Sequence, residues 1–235
     1  MGTTRVVFPP QFEPFQPYLS GPYLKSLLSQ HDLDASVFDA NIDFYEWMVG
    51  FAGRQVPWAT VPHENRDYLH ANVKHAVGCL RSRPGSLHEY RWAINVVEEY
   101  LRAISPVGVE MGLTCMRTGH PNSAQDLLDY SQDPNSAFAL YFEDAADDLL
   151  GPPSVQTYLL SVVVRDQLAA AVVLCGKIKE HRPNARVIIG GPLVSQVHSK
   201  LVAMPWIRPK FPISQSPDSR ITAWNQGFFS VSGRM

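Results

Sequence analysis

Three short stretches hold the residue types best suited to ligand chemistry. Gly190-Gly191, followed by Pro192, closes an apolar run. With no Cβ in the way, such a pair lets a flat ligand or another backbone come close, and it equally makes a tight turn. Arg165-Asp166-Gln167 closes a second apolar run, with Asp166 either in a ligand loop or capping the helix that follows. A proline-spaced loop, Pro9 to Pro17, closes a third and contains Pro10, Gln11, Phe12, Glu13 and Pro14. Elsewhere the titratable residues do not converge. His63, His70 and His75 are spaced by seven and five, not the four that puts two imidazoles on one helix face, so they read as solvated surface and not metal ligands. Asp144, Asp147 and Asp148 read as a solvated acidic face. Cys79, Cys115 and Cys175 form no CxxC, and GxSxG, P-loop and GxGxxG patterns are absent, so hydrolase, NTPase and dinucleotide readings have no motif behind them.

The elements around these stretches alternate in type. Arg5 to Pro9 is a short buried strand stopped by two prolines. Leu19, Tyr23, Leu24, Leu27 and Leu28 recur at helical spacing, and Ala35 to Asp39 is a second strand. That makes a βαβ unit, whose parallel strands require the crossover helix. A second unit comprises a strand over Tyr158 to Val164, an amphipathic helix over Gln167 to Glu180, and a strand over Arg186 to Ile189. The helix is expected to bury Leu168, Ala171, Val172, Cys175 and Ile178. Strands apolar on both faces belong to a parallel sheet covered by helices on each side. The expected fold is α/β, a doubly wound, flavodoxin-like sheet (Rossmann-like) interrupted by helices.

Between the two units lies a helical block, about residues 60–150. Helices are expected over His63 to Leu80, Ser86 to Ile104 and Asn135 to Leu150, with another starting at Asn122. Tyr90, Ile94, Val97 and Leu101 would share one face of the second. The aromatic set Phe44, Tyr45, Trp47 and Phe51 reads as core. The α/β domain spans residues 1–202, and residues 203–235 read as an irregular tail punctuated by prolines, in which only Ala223 to Val231 suits a strand.

Composition bounds the partners. The 235 residues are 45% hydrophobic and 18% charged, below the roughly 25% charged residues of average chains. That argues for buried or partner-covered surface. With 20 Lys+Arg against 22 Asp+Glu and no basic run, nucleic acid is not an expected partner. The longest apolar run, Leu168 to Cys175, is far short of the about 20 residues that cross a bilayer, so no membrane association is expected. Three scattered cysteines suit a reducing cytoplasm.

The pieces RVVFPPQFEPFQPYL, FDANIDFYEWM and SVVVRDQLAAAVVLCGKIKEHRPNARVIIGGP, in this order and spacing, give the chain a likeness over residues 4–200. It resembles the N-terminal cobalamin-binding domain of cobalamin-dependent radical SAM enzymes, particularly those that modify natural products. The resemblance implies a cobalamin cofactor at the three loops. Val164, Arg165, Asp166 and Gln167 would lie under or beside the corrin ring. Gly190, Gly191 and Pro192 would make room for the nucleotide tail, and Pro10 to Pro14 would face the lower side of the ring. The cobalamin folds of methionine synthase and the mutases carry DxHxxG in the first loop, where histidine ligates cobalt. Here that loop is PQFEPFQP, with no histidine before His31. The implied cobalamin is therefore base-off, without a histidine ligand. The family continues into a barrel whose CxxxCxxC holds a [4Fe–4S] cluster, and nothing in this sequence matches it. The expectation is a cobalamin-binding module, a stand-alone or truncated relative of cobalamin-dependent radical SAM methyltransferases, with no iron–sulfur cluster or catalytic residues of its own, working with a radical SAM enzyme subunit. The alternative is a non-binding scaffold of the same fold, or an interaction partner of a full-length radical SAM enzyme.

Overall fold

The computed structural model describes residues 3–10, 12, 18–52, 65–82, 85–105, 109–113, 116–118, 124–196 and 228–231. The chain divides into two compact units, one of residues Met1–Pro10, Tyr18–Asn41 and Pro121–Met235, the other of Gln11–Pro17 and Ile42–His120. The first unit holds a mixed sheet in the order β2-β1-β5-β6-β7. Its strands are β1 (Thr3–Phe8), β2 (Ala35–Asp39), β5 (Val155–Ser161), β6 (Arg186–Gly190) and β7 (Phe228–Val231). The first four are mutually parallel and β7 pairs antiparallel with β6. The fold is a doubly wound α/β fold of the flavodoxin-like kind.

Strand register explains which residues are core. Val6 lies level with Val37 and Leu159, and Leu159 with Ile188. This row faces α1 (Ser20–Ser29), whose Leu24 and Leu28 pack into it with Ala35. Helix α1 comes close enough that a Cβ on Gly21 would stand 2.7 Å from Val37 Cγ1. Chain direction across the sheet reverses between the β1-to-β2 and β5-to-β6 connections, so right-handed crossovers place α1 and α8 (Gln167–His181) on opposite faces.

Helix α8 differs from the expected amphipathic helix. Gln167, Ala169 to Cys175, Ile178 and Lys179 are buried, whereas Leu168 is only partly so. The reason is a second layer: α5 (Ala124–Gln132) and α6 (Ala137–Asp144) pack on α8, while α8 contacts β6. A helix apolar all round is one covered all round. The segment from 121 onward, expected in the helical insertion, thus groups with the sheet. A break at Ala145 separates α6 from α7 (Ala146–Leu150), where one helix was expected over Asn135 to Leu150. Among the described residues of 203–235, Phe228–Val231 form β7, inside the stretch Ala223 to Val231 that suited a strand.

The second unit contains α3 (Arg66–Arg81) and α4 (Leu87–Ala103), which pack on each other, and an antiparallel pair, β3 (Val109–Met111) and β4 (Met116–Thr118). Helix α2 (Ala40–Trp47) leads into a π-helical turn, Met48–Ala52. Ser86 caps α4 by accepting from Glu89 N at 3.1 Å, and Glu89 Oε2 accepts from Gly85 N at 2.7 Å. The buried stripe of α4 is Ala93, Val96, Val97, Tyr100 and Leu101, rotated from the expected one, so that Tyr90 stays exposed. Of the aromatic set read as core, Phe44 and Tyr45 are buried and Trp47 is only half-buried. Among the described residues no helix is long and apolar enough to cross a membrane.

Candidate functional site

Sheets of this kind place ligands beyond the carboxyl ends of their strands, where strand order reverses. Here the reversal falls between β1 and β5. Phe8 ends β1, is buried, and stacks on Tyr18 with centroids 5.0 Å apart and planes 11° from parallel. Pro9 follows, and its carbonyl accepts from Gln167 Nε2 at 2.8 Å. The same Gln167 accepts at Oε1 from Val163 N at 2.8 Å and Val164 N at 3.3 Å. This fully buried amide therefore ties the exit of β1 to the exit of β5.

These bonds also explain a shift in the strand. The apolar run continues to Val164, but the ladder stops at Ser161, three residues earlier than expected. Val162 N still donates to Gly190 O at 2.7 Å. Beyond it β6 has ended, and the next two amides turn to the Gln167 side chain. The strand also begins earlier, at Val155, because Val155 and Thr157 pair with Thr3 and Thr4 of β1.

At the exit of β6, Gly191 has φ +122°, a conformation that L side chains rarely adopt. A Cβ there would lie 2.3 Å from Val162 O and 2.9 Å from Val162 C. Of the two readings of the glycine pair, the close approach at Gly191 is to another backbone. The chain then turns helical over 192–196, where Ser195 N donates to Gly191 O at 3.0 Å and Ser195 Oγ at 3.1 Å. Ser161 Oγ and Ser20 Oγ, 3.0 Å apart, join the end of β5 to the start of α1.

The sequence-predicted residues divide by position. Pro10, Gln167 and Gly190 are buried. Phe12, Val164, Asp166 and Gly191 are half-buried, and Arg165 and Pro192 are exposed. Gln11, Glu13 and Pro14 lie outside the described residues. Structure brings together the exits of β1, β5 and β6 through Gln167, Val162 and Gly191. Asp166 stands at the N-cap of α8 but its side chain makes no capping hydrogen bond, so the capping reading fails. Sequence reasoning missed Val162, Tyr18 and the Ser20–Ser161 pair. Two serines 141 residues apart carry no mutual signal in the sequence. Val162 is an ordinary member of an apolar run until β6 ends beside it.

The described cysteines and the described histidines of the trio singled out in the sequence are engaged structurally. Cys175 is fully buried on α8, and burial pushes its thiol pKa far up. Cys79 donates to Glu89 Oε1 at 3.5 Å, and burial with this carboxylate raises its pKa, which favours an unreactive thiol. His70 packs edge-on against Tyr100 and His75 lies against Trp92. Cys115 and His63 lie outside the described residues. Among the described residues no group of three His, Cys, Asp or Glu side chains is arranged to hold a metal ion. No family model, curated protein or solved structure matches this chain.

Proposed function

We propose that this chain is a small-molecule-binding module of the corrinoid-binding kind, with its ligand beyond the carboxyl ends of β1, β5 and β6. The observation that carries the reading is the strand order, because its reversal between β1 and β5 opens the edge where doubly wound sheets receive ligands. The exposed Arg165 and Pro192 and the half-buried Val164 stand at that edge. The choice of cobalamin rests on the resemblance over residues 4–200 and not on the geometry. Gly191 lends no support to a channel for the nucleotide tail, since Val162 fills the space beside it. Cobalamin would be held base-off, and any radical chemistry would belong to a cluster-bearing partner subunit in the reducing cytoplasm.

Incubation with hydroxocobalamin followed by desalting tests this directly. The protein is expected to keep the corrin absorbance, and Val164→Trp, which fills the mouth of the β5 loop, to lose it with circular dichroism unchanged. Electron paramagnetic resonance of the cob(II)alamin form should lack superhyperfine splitting from a nitrogen ligand. A wild-type chain that desalts colourless overturns the reading. One observation favours the alternative of a non-binding scaffold or interaction partner for a radical SAM enzyme. Gln167 and the Val162–Gly191 approach tie the strand exits to one another, as a structural edge requires.

A further inference from the structure

The second unit contains an open cleft of about 570 Å³ between α2 with its π-turn, α3, α4 and Leu113. That volume is within the range of small-molecule sites, about 300–1,000 Å³. Ile42, Val49, Val77, Leu80 and Val97 supply apolar wall. Among the described residues, the charged groups at the cleft are Glu46, Lys74 and Arg81. Arg81 and Glu46 form an ion pair with each other. Among the described residues no carboxylate pairs with Lys74, which leaves the rim with one uncompensated cation.

Two glycines hold the cleft open. Gly50, in the π-turn, and Gly78, in α3, both line it, and a Cβ added at either would meet nothing within 4 Å. A glycine inside a helix is about 1 kcal/mol less favourable than alanine. At Gly21 close packing explains the residue, since Val37 stands 2.7 Å from the missing Cβ. At Gly78 no neighbour requires it, and what its absence of a side chain leaves is the cleft. The π-turn at Met48–Ala52 adds to this, because such turns concentrate at functional sites.

We propose that this cleft binds a small amphiphilic anion, an aliphatic carboxylate, with its chain against the apolar walls and its carboxylate at Lys74. A neutral apolar molecule would leave the ammonium unanswered, and a cationic one would meet like charge at the rim. The site is in a different unit from the sheet edge and does not depend on the function proposed there.

Isothermal titration of the full chain with decanoate is the test. One saturable site is expected in the wild type. Gly78→Leu, which fills the open space while removing a helix-interior glycine, should weaken binding more than about tenfold. Gly50→Leu, from the facing wall, should do the same and stands in if the first variant does not fold. Lys74→Gln should weaken decanoate about threefold and leave decanol binding unchanged. The proposal is overturned if the wild type shows no saturable decanoate binding, or if decanol binds it as tightly as decanoate. Unchanged binding by both leucine variants, folded by circular dichroism, also overturns it. So does a wild type that sediments as a dimer and a Gly78→Leu variant that sediments as a monomer, which would assign the cleft to a second copy of the chain.

Discussion

The two ends of the sheet are built from different chemistry. At the amino end, cationic side chains take up carbonyls of the loop from α7 into β5 and of the first residue of β5. Arg182 donates through Nη1 to Pro152 O at 2.9 Å and Val155 O at 3.2 Å, and through Nη2 to Gly151 O at 2.5 Å. Arg5 donates to Asp148 O and, at 3.3 Å, to Ser36 Oγ, while its guanidinium lies 5.1 Å from the Phe38 ring centroid. Tyr158 donates to Leu150 O at 2.8 Å and buried Lys179 to Ala185 O at 2.6 Å. At the carboxyl end the corresponding work falls to a neutral amide, a serine pair and a glycine. A guanidinium with five donors suits several neighbouring carbonyls, whereas a site needing both donor and acceptor suits glutamine. The lesson is that buried Lys179 and half-buried Arg5 and Arg182 all donate to backbone carbonyls. Arg165, at the carboxyl edge, is exposed.

The largest effect is expected at Gly191. Gly191→Ala combines a strained φ with overlap on Val162 and should destabilise the protein by about 3 kcal/mol or more, read as a lower urea midpoint at unchanged m. A loss below about 1 kcal/mol would show that the carboxyl end is not held by this approach. Cobalamin retention is therefore better tested at Val164 than at this glycine.

Arg182→Ala should come next, at about 2–3 kcal/mol, because three carbonyls at the amino end lose a charged donor. Arg182→Lys should recover only part, since an ammonium cannot span carbonyls placed for a planar fork. Full recovery would mean that the charge alone matters. Gln167→Leu should destabilise by about 2 kcal/mol, since it strands two amides and one carbonyl in a buried site. Hydrogen exchange should speed at Val163 and Val164 and leave the amide of Tyr158 protected. Equal acceleration along the whole strand would deny that this side chain acts locally.

The smallest effect lies away from both ends. Lys177 donates to Glu143 at 2.6 Å, linking α8 to α6, and this hydrogen bond, with the lysine charge, holds the Glu143 carboxyl below its ordinary 4.5. A depressed carboxyl contributes stability that is complete above the unfolded value and is lost as the pH falls through the folded one. Glu143→Gln should therefore be less stable than wild type at pH 7 and equal to it once the carboxyl is protonated. With the glutamate side chain 60% exposed, the difference at neutral pH should stay under about 1 kcal/mol.

The elements of the sheet unit were legible because their signals are local. Ala35–Asp39 is the strand that its β-branched and aromatic run indicates, α8 starts at Gln167, and β6 begins at Arg186 as expected. Each is bounded by proline, glycine or a polar turn, and chain direction with right-handed crossover then limits the sheet to few orders. The end of β5 was not legible, because a strand stops where its neighbour stops and Val162 to Val164 are as apolar as the residues before them. The buried outer face of α8 was not legible either, since α5 and α6 reach it from a part of the chain that local pattern assigned elsewhere.

At the candidate site, sequence alone determined that three loops leave three strands, and which residue types each loop contains. Tertiary structure decided their use. Gln167 became a tie because Pro9 O lies 2.8 Å from its amide, across 158 residues of chain. Gly191 became obligatory because Val162 O lies 2.3 Å from the position of its missing Cβ, and Arg5 and Arg182 became backbone partners because α7 ends over the start of β5. Periodicity and turn chemistry act over a few residues and are written in order along the chain. Hydrogen-bond partners and close approaches are fixed by distances in space, which the order of residues does not contain.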